Sequence, residues 1–501
     1  MSGQLRHICR LSFDHASSVA RRGISGLVVV LDSTVREGEL QPGVYFDPKT
    51  RKEICLALAE TGTRRIEFPI VYPNRGGKIS DIQDAIGAVR KHFEEVQTIV
   101  QCRACEDDVR NAHEYGADGC AVFLGVTEKH RNGKLSGLHK DAAISQLSTS
   151  IEHLKDYGFE YRRAVLEDVS RFFTSGKGRE DTASYLSRLL SSVRKAGATV
   201  VSIPDTSGML PQGRIADMVK RVREMTDLPL AGHFHNDYGN ALANAIEAFQ
   251  AGVEEIHVSI FGLGARNGIV DHYELVSNLE DLYGVPSGEK RDHLMGLYKK
   301  FEHLTGIPIP WRHPLSLSAN VEKAGTHQAQ IVQAPEGYMP PRKVALDFRG
   351  KVYFEASQFI SKRVVGQLLR HYRVGARSVL EVTEAVASTS ALKQRKLTSQ
   401  EVRDIVKMKT GISLPIETVS KCIRGSDYAY IAINYKPQSN GRAIIDELAT
   451  WREIVQADEV YGDVDLIALT RLRDFEGANV VEKIKERFRE EIVRITTWVV
   501  E

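Results

Sequence analysis

Three side chains with the chemistry of metal ligands lie in two short motifs far apart in the chain. His233 and His235 occur in the run LPLAGHFHND, where the apolar residues 228–231 predict a buried strand. Residues at positions i and i+2 of a strand point to the same side, so both imidazoles face one cavity. Glu37, which follows Arg36, adds a carboxylate. Two nitrogens and an oxygen can bind a divalent cation and leave coordination positions open for a substrate.

Length and composition limit the classes of protein that these motifs can serve. A chain of 501 residues predicts two or three domains. Its 67 basic and 65 acidic residues leave a net charge of +2, which argues against a nucleic-acid surface or a polybasic membrane anchor. No window approaches the roughly 18 uninterrupted apolar residues of a membrane span. Six cysteines make no disulfide framework, and we expect a cytoplasmic location.

Residues 1–25 are predicted to form an N-terminal arm. They contain several serines and a single acid, Asp14, together with four arginines, a composition that also occurs in organellar presequences. Because no long amphipathic helix precedes Gly23, an arm is the preferred interpretation and a targeting segment is the alternative.

From Gly26 onward, short apolar strands alternate with amphipathic helices. Strands are predicted at 28–31, 65–68, 96–101, 119–123, 163–166, 199–203, 228–233 and 255–260, with helices over 49–61, 80–92, 105–115, 141–157, 179–196, 213–225 and 239–251. Eight such units in about 250 residues predict a parallel sheet closed into a (β/α)8 TIM barrel over residues 26–283. A doubly wound open sheet is the alternative.

The barrel would bring the candidate residues to one place. Active-site residues of such barrels lie just past the C-terminal ends of the strands. Polar and glycine-rich segments occur at these positions, namely 32–39, 163–168, 205–206, 233–237 and 262–268. We therefore expect one active site at this face, built around the three candidate metal ligands.

Four motifs resemble those of the DRE-TIM metallolyase superfamily and occur in the same order. They are DSTVREGELQPGV at 32–44, SIPDTSGMLP at 202–211, GHFHNDYGNALANA at 232–245 and GLGARNGI at 262–269. This superfamily includes isopropylmalate, homocitrate and citramalate synthases and hydroxymethylglutaryl-CoA lyase. The resemblance covers residues 27–283, and more loosely the residues up to 420.

The resemblance implies an acyltransferase that condenses acetyl-CoA with a 2-oxo acid. It assigns Glu37, His233 and His235 to a divalent ion, and zinc, manganese and magnesium all suit these ligands. The ion would act as a Lewis acid on the oxo acid, and hydrolysis of the thioester would make the condensation irreversible. Arg36 would stabilise the enolate oxygen.

Four other side chains are candidates for the site on the same grounds. Glu167, in the Glu-Asp pair after the fifth strand, is a candidate base or proton relay. Thr206 would hold the substrate carboxylate. Gln41 stands one position beyond the usual amide of the signature and is a candidate substrate contact, as is Arg103.

Three features favour the homocitrate synthase branch. The block at 264–269 resembles GERNGI of those enzymes. His327 and Tyr338 are spaced as in a family segment that reaches into the neighbouring protomer's barrel and assists proton transfer, which implies a homodimer. Arg163 stands where homocitrate synthases place an arginine against the distal carboxylate of 2-oxoglutarate, and a guanidinium binds a carboxylate in a bidentate manner.

Two departures from that branch make the predicted pocket more apolar. Val165 occupies the position of a serine that helps to bind the distal carboxylate, and Ala265 replaces the usual glutamate. 2-Oxoglutarate is the favoured substrate. The alternatives are a citrate, citramalate or isopropylmalate synthase-type condensation with another 2-oxo acid, and a lyase or aldolase of the same superfamily.

The remainder of the chain is predicted to form two further parts. Residues 284–425 are expected to be helical subdomains that carry dimer contacts and a lid, with helices over 294–305, 357–373 and 398–408. Residues 426–501 follow the β-α-β-β-α-β order of a ferredoxin-like fold. The block VYGDVDLIALTRLRD resembles the RAM domain of leucine-responsive regulators. That resemblance implies an amino-acid effector, hypothetically lysine, with a purely structural dimerisation module as the alternative.

Overall fold

The computed structural model divides into two compact units, Met1–Pro310 and Trp311–Glu501. The structure describes residues 28–71, 78–174, 180–316, 318–339, 353–420, 422–423, 428–451, 453–460, 462–471 and 480–499. The predicted N-terminal arm therefore lies outside the described residues. Within these ranges, no helix has the length and apolar character needed to cross a bilayer.

Eight parallel strands close into a barrel in the first unit, with each strand paired to the next along the chain. They are β1 Val29–Asp32, β2 Arg65–Pro69, β3 Gln97–Arg103, β4 Gly119–Gly125, β5 Tyr161–Glu167, β6 Val200–Ser202, β7 Leu230–Gly232 and β8 Glu255–Val258. β1 also pairs with β8, from Val29 opposite Glu255 to Asp32 opposite Val258. This closing pair, which an open sheet lacks, confirms the predicted TIM barrel.

Helices follow the strands at the predicted positions. They are α1 Thr34–Glu37, α2 Pro48–Glu60, α3 Ile79–His92, α4 Glu106–Glu114, α5 Glu128–Lys134, α6 Lys140–Asp156, α7 Glu180–Lys195, α8 Ile215–Arg223, α9 Ala241–Gln250, α10 His272–Leu282 and α11 Arg291–Thr305. In α6 the residues at helical spacing, Ile144, Leu147, Ile151 and Leu154, are buried. Each buried aliphatic side chain contributes roughly 1.5–3 kcal/mol. The short helices α1 and α5 and the longer helix α10 were not predicted.

Strand periodicity divides the barrel residues between the interior and the helix layer. One apolar cluster joins side chains from six of the strands, namely Leu31, Ile99, Ala121, Tyr161, Val165, Val200 and Ala231. Because alternate residues of a strand share a face, Arg163 points to the same interior as its neighbours Tyr161 and Val165. The barrel interior therefore combines an apolar layer with buried charge.

The first part of the second unit is helical, as predicted. Its helices are α12 Gly325–Gln333, α13 Lys362–Leu368, α14 Ala376–Lys393, α15 Ser399–Thr410 and α16 Ile416–Ser420, and a small sheet pairs β9 Val321–Glu322 with β10 Tyr353–Phe354. The predicted cap of α15 is present, since Thr398 Oγ1 accepts a hydrogen bond from Glu401 N at 3.1 Å.

The helix boundaries around residue 370 differ from the prediction. The predicted helix 357–373 is only the seven-residue α13, which begins after Ser361, whose side chain caps it. The long helix α14 was not predicted, because it is rich in valine, serine and threonine, which have weak helix propensity. Burial of Val382 and Val386 in the core of this unit stabilises it instead.

The C-terminal part has the predicted β-α-β-β-α-β order. It comprises β11 Tyr428–Tyr435, α17 Gly441–Leu448, β12 Ile454–Glu459, β13 Leu466–Arg471, α18 Val480–Arg487 and β14 Ile492–Val499. The strands pair antiparallel in the order β12-β13-β11-β14, the arrangement of a ferredoxin-like fold. Part of the RAM-like block lies outside the described residues, and the RAM resemblance and the predicted domain boundaries stay predictions.

Candidate active site

A pocket of about 410 Å³ lies at the C-terminal ends of the barrel strands. Eighteen residues line it, including the three candidate metal ligands and the predicted residues Arg36, Glu167 and Thr206. Apolar side chains, among them Phe123 and Val165, form another part of its wall. The strand ends thus bring most of the predicted site residues together.

Glu37, His233 and His235 lie close enough to share one ion. One ligand atom from each lies within 4.8 Å of those of the other two. The distance from His233 Nε2 to Glu37 Oε2 is 4.0 Å. Metal–ligand bonds of about 2 Å place donor atoms on the order of 3–4 Å apart, so small side-chain adjustments complete a site. All three residues are buried, with exposed fractions of 2%, 8% and 7%.

The chemistry of the two imidazoles also fits a divalent cation. Burial lowers the pKa of His233 and of His235, which favours the neutral form that has a lone pair to donate. His235 Nδ1 is buried and has no hydrogen-bond partner in the structure. His233 Nδ1 lies 3.3 Å from His257 Nδ1, a contact that orients the ring. These features are typical of imidazoles that ligate a metal.

Helix α1 positions Arg36 and Glu37 over the pocket. Arg36 Nε donates to Glu67 Oε2 at 2.6 Å, and its Nη1 donates to Glu37 Oε2 at 2.5 Å. The other oxygen of Glu37 accepts a hydrogen bond from Ala265 N at 3.2 Å. The guanidinium is therefore held beside the candidate metal ligands, where it can stabilise negative charge on a reacting oxygen.

The buried side chain of His272 lies between two carboxylates, and one of them contacts the start of α1. Asp32 Oδ1 accepts a hydrogen bond from Thr34 N at 2.8 Å, at the start of α1. Asp32 Oδ2 lies 2.9 Å from His272 Nδ1, and Glu289 Oε1 lies 3.1 Å from the other ring nitrogen. Burial opposes protonation of His272, but Glu289 and Asp32 outweigh it and raise its pKa to about 10. His272 is thus an imidazolium at neutral pH.

Arg163 lies below the pocket and does not line it. It is fully buried, at 0% exposure. One guanidinium nitrogen donates to Glu67 and, at 3.0 Å, to Gln101 Oε1. The other donates to Glu255 Oε1 at 3.2 Å and lies 2.9 Å from His257 Nε2. The predicted contact with a distal substrate carboxylate stays a prediction, and it would have to compete with these partners.

Two carboxylates in this network stay ionised despite their burial. Burial opposes ionisation of Glu67, but Arg36 and Arg163 outweigh it and lower its pKa to about 2. Burial likewise opposes ionisation of Glu255, yet His257 and Arg163 hold its pKa well below the usual range. For His257, burial and Arg163 together lower the pKa, so the ring is neutral at pH 7.

Glu167 faces the pocket beside two side chains that were not predicted. Lys134 Nζ donates to Glu167 Oε1, and His130 Nδ1 lies 3.5 Å from its other oxygen. Both come from α5, a short helix after β4. Thr206 also lines the pocket, and its hydroxyl accepts a hydrogen bond from Asp168 N at 2.9 Å.

Four predicted site residues lie elsewhere. Neither Gln41 nor Arg103 is among the described residues that line the pocket, and Arg103 pairs with Asp108 at 2.8 Å. His327 and Tyr338 belong to the second unit, where their rings stack with centroids 4.3 Å apart. Their predicted role at a neighbouring barrel, like the substrate roles of the other two, stays a prediction.

Several residues of the site were missed in the sequence. Glu255 and His257 alternate along β8 in EEIHVSI, the same two-residue spacing that identified His233 and His235. Reading that spacing as a sign of inward-facing groups would have found them. No comparable pattern in the sequence indicates Lys134, because it lies on helix α5, which was not predicted.

Comparison with protein families identifies the barrel. The family model described as HMGL-like matches residues 28–298, slightly more than half of the chain. The chain belongs to the HMGL-like family. This match confirms the expected membership of the metallolyase superfamily, and the relatives described next support the expected acyltransferase class.

Curated relatives of this HMGL-like chain are named homocitrate synthase. The protein of Sulfurisphaera tokodaii is 28% identical over 474 residues, which cover 91% of this chain and 96% of the relative. That of Saccharolobus islandicus is 32% identical over 324 residues, 63% of this chain and 66% of its own. Homocitrate synthase AksA of Methanopyrus kandleri is 28% identical over 64% of this chain and 77% of its own length.

Similar solved structures include two hydroxymethylglutaryl-CoA lyases. The HMG-CoA lyase of Bacillus subtilis is 22% identical and has a TM-score of 0.49, covering 57% of this chain and 96% of that one. The hydroxymethylglutaryl-CoA lyase of Pseudomonas aeruginosa is 19% identical, also with a TM-score of 0.49, over 57% of this chain and 95% of its own. At this similarity neither structure indicates which reaction the present chain performs.

Proposed function

We propose that this chain condenses acetyl-CoA with a 2-oxo acid in a reaction that depends on a divalent metal ion and ends in thioester hydrolysis. The observation that supports it most is the convergence of Glu37, His233 and His235 beside Arg36 at the barrel mouth. A relative that aligns with most of the chain is named homocitrate synthase, which supports the same reaction class. It also makes 2-oxoglutarate the first substrate to test.

The three ligands would hold the ion, which supplies a Lewis acid for the 2-carbonyl of the oxo acid. Arg36 offers its guanidinium to an oxygen that gains negative charge during the reaction. Its bonds to Glu37 and Glu67 restrict its rotamers, so little reorganisation is needed when that charge develops. The buried setting strengthens this interaction because little water competes for the guanidinium.

Glu167 is the proposed proton acceptor. A carboxylate that faces the pocket can take the methyl proton of acetyl-CoA, and Lys134 at its side can steer or return that proton. His327 and Tyr338 of a neighbouring protomer would assist, which requires a homodimer. Thr206, whose hydroxyl accepts a hydrogen bond from Asp168 N, would bind the carboxylate of the oxo acid.

We further propose that residues 426–501 bind an amino acid that regulates the enzyme. The ferredoxin-like order of this segment supports the comparison with RAM domains, and lysine is the first effector to test. The homodimer, the effector and the cytoplasmic location stay predictions, as does the absence of nucleic-acid and membrane partners.

A thiol-release assay with acetyl-CoA and a panel of 2-oxo acids tests the proposal. We expect release of CoA that requires both a 2-oxo acid and a divalent ion, and that stops when a chelator is added. Repeating the assay with single amino acids tests regulation. If the metal-loaded protein releases no CoA with any oxo acid but cleaves a hydroxyacyl-CoA, the chain is a lyase of the family and the condensation is refuted.

A further inference from the structure

The positive charges that face the pocket are already paired with carboxylates. Among the described lining residues, the lysine and arginines are Arg36, Lys134 and Arg266. Arg36 is paired with Glu37 and Glu67, as described above. Lys134 pairs with Glu167, and Arg266 with Asp237 at 2.7 Å. A second carboxylate on a substrate would find no unpaired cation in this part of the wall.

The arginines and glutamates of the barrel interior, in and below the pocket, are also balanced in charge. Three guanidinium groups, those of Arg36, Arg65 and Arg163, meet three carboxylates, those of Glu37, Glu67 and Glu255. Glu255 contacts two of the arginines and also accepts a hydrogen bond from Tyr161 at 2.8 Å. Recruiting Arg163 to a substrate would remove one of the two arginines that contact Glu67 and one of the two that contact Glu255, and would leave the buried network one positive charge short, which is unfavourable.

An apolar layer of the pocket wall lies on the mouth side of Arg163, beside Gln101 and His257, which contact Arg163 and also line the pocket. Val165 is two residues further along β5, on the same face and towards the mouth, and it lines the pocket whereas Arg163 does not. Phe123 stands opposite Val165 in the β4–β5 register and lines the pocket too. A carboxylate in this layer would lose its water without gaining a charged partner. A small apolar group would fit the same wall.

We propose that the site takes a 2-oxo acid with a compact, uncharged side chain, and that Glu255 is a positioning residue that withholds Arg163 from distal carboxylates. This inference rests on the proposed condensation and narrows its substrate. It differs from the substrate that the resemblance favours, because Arg163 is present but its charge is already matched. Glu255 acts through Arg163 and does not touch the substrate.

Steady-state kinetics of the wild-type protein test the inferred substrate class. With acetyl-CoA and Mn²⁺, we expect kcat/KM for pyruvate, 2-oxobutyrate or 2-oxoisovalerate to exceed that for 2-oxoglutarate and oxaloacetate by at least about tenfold, the effect of one charge-assisted hydrogen bond. A preference for either diacid overturns the inference. Calorimetric binding of the same acids to the Mn²⁺-loaded protein ranks them independently of turnover. If neutral 2-oxo acids bind more tightly than the diacids but cause no release of CoA, the proposed condensation is refuted, whereas the inferred preference of the site for uncharged side chains is retained.

The variant Glu255→Gln tests the role of the carboxylate itself. It leaves the guanidinium of Arg163 with one carboxylate partner, so we expect KM for 2-oxoglutarate to fall about tenfold while KM for the best neutral acid changes little. Glu254→Gln is the matched control, because Glu254 is 50% exposed, pairs with Arg223 and faces away from the barrel interior. We expect it to alter neither constant. Equal effects of the two substitutions would refute the role of Glu255.

A second variant keeps the test valid if Glu255→Gln does not fold. Val165→Lys adds an unpaired ammonium to the pocket wall and leaves the buried network in place. If the missing cation is what excludes diacids, we expect this change to lower KM for 2-oxoglutarate about tenfold. If neither variant improves the use of 2-oxoglutarate, charge does not determine the specificity of the site and the inference falls.

Discussion

Replacing His272 with glutamine should destabilise the barrel unit strongly. His272 is an imidazolium held between the carboxylates of Asp32 and Glu289, with all three side chains buried. Glutamine keeps a similar length and can still donate a hydrogen bond, but it removes the positive charge. Two buried carboxylates are then left without their shared counter-ion, and Asp32, which accepts a hydrogen bond from Thr34 N at the start of α1, loses its charged partner.

The size of this effect follows from the pKa of His272. It is about 10 in the folded protein against 6.5 for the free side chain. A difference of about 3.5 units, at about 1.4 kcal/mol per unit, corresponds to on the order of 5 kcal/mol. Removing one partner from a buried ion pair costs about 3–5 kcal/mol in general. We therefore expect His272→Gln to lower the free energy of unfolding by about 3–5 kcal/mol at pH 7.

The same network predicts how stability depends on pH. The pKa of His272 is raised on folding, so its contribution is fully present below about pH 6.5 and is lost as the pH rises through about 10. The wild-type barrel should thus lose stability between these values, and His272→Gln should lack that component. His92, exposed in the last turn of α3, provides the control substitution His92→Gln.

Urea unfolding of the full chain at pH 7 and near pH 10 measures both effects. All three tryptophans, Trp311, Trp451 and Trp498, lie in the second unit, so their fluorescence serves as an internal reference. Far-ultraviolet circular dichroism follows both units. A loss below about 1 kcal/mol at pH 7, the range of an exposed ion pair, would refute the reasoning. So would a wild-type barrel whose stability is unchanged across the alkaline range.

Three further predictions concern the site and its surroundings. Glu37→Gln should reduce affinity for Mn²⁺, measured by calorimetry, at least about tenfold and abolish turnover, whereas Glu39→Gln should retain both; full activity of the first variant would disprove the ligand assignment. Arg163→Met should lower the free energy of unfolding by about 3–5 kcal/mol because Glu67 and Glu255 each lose one of their two arginine partners and the buried network loses one positive charge, and an unchanged urea midpoint would contradict this. Burial and their mutual contact at 3.6 Å should keep the thiols of Cys102 and Cys120 unreactive toward a disulfide reagent until the chain unfolds, so rapid labelling of native protein would contradict the packing.

The barrel was predictable because its signals are local. Each strand is a short apolar run followed by an amphipathic helix, and the resulting eight-unit rhythm required no knowledge of distant contacts. The candidate metal ligands could be proposed for the same reason, since His233 and His235 share a strand face through their spacing alone. Glu37 could be added to this set of candidate ligands because it lies shortly after the end of the first strand.

The position of Arg163 was not predictable in the same way. Its sequence neighbours indicate an inward-facing arginine, and the resemblance suggested a substrate carboxylate as its partner. Its actual partners are Glu67 on β2 and Glu255 on β8, which approach β5 only because the closed barrel brings opposite strands together. Helix α14 was missed for a related reason, because tertiary packing and not local propensity stabilises it.

The hydrogen bond between Glu37 and Ala265 has a consequence for biosynthesis of the protein. It joins residues 228 positions apart, one beyond the first strand of the barrel and the other beyond the last. Glu37 is therefore held in place late, after the ribosome has made β8 and the seam between the first and last strands has formed. A divalent ion cannot nucleate the nascent chain as zinc does in a finger domain. It should enter a barrel that has already folded, so chelators should inactivate the protein without unfolding it.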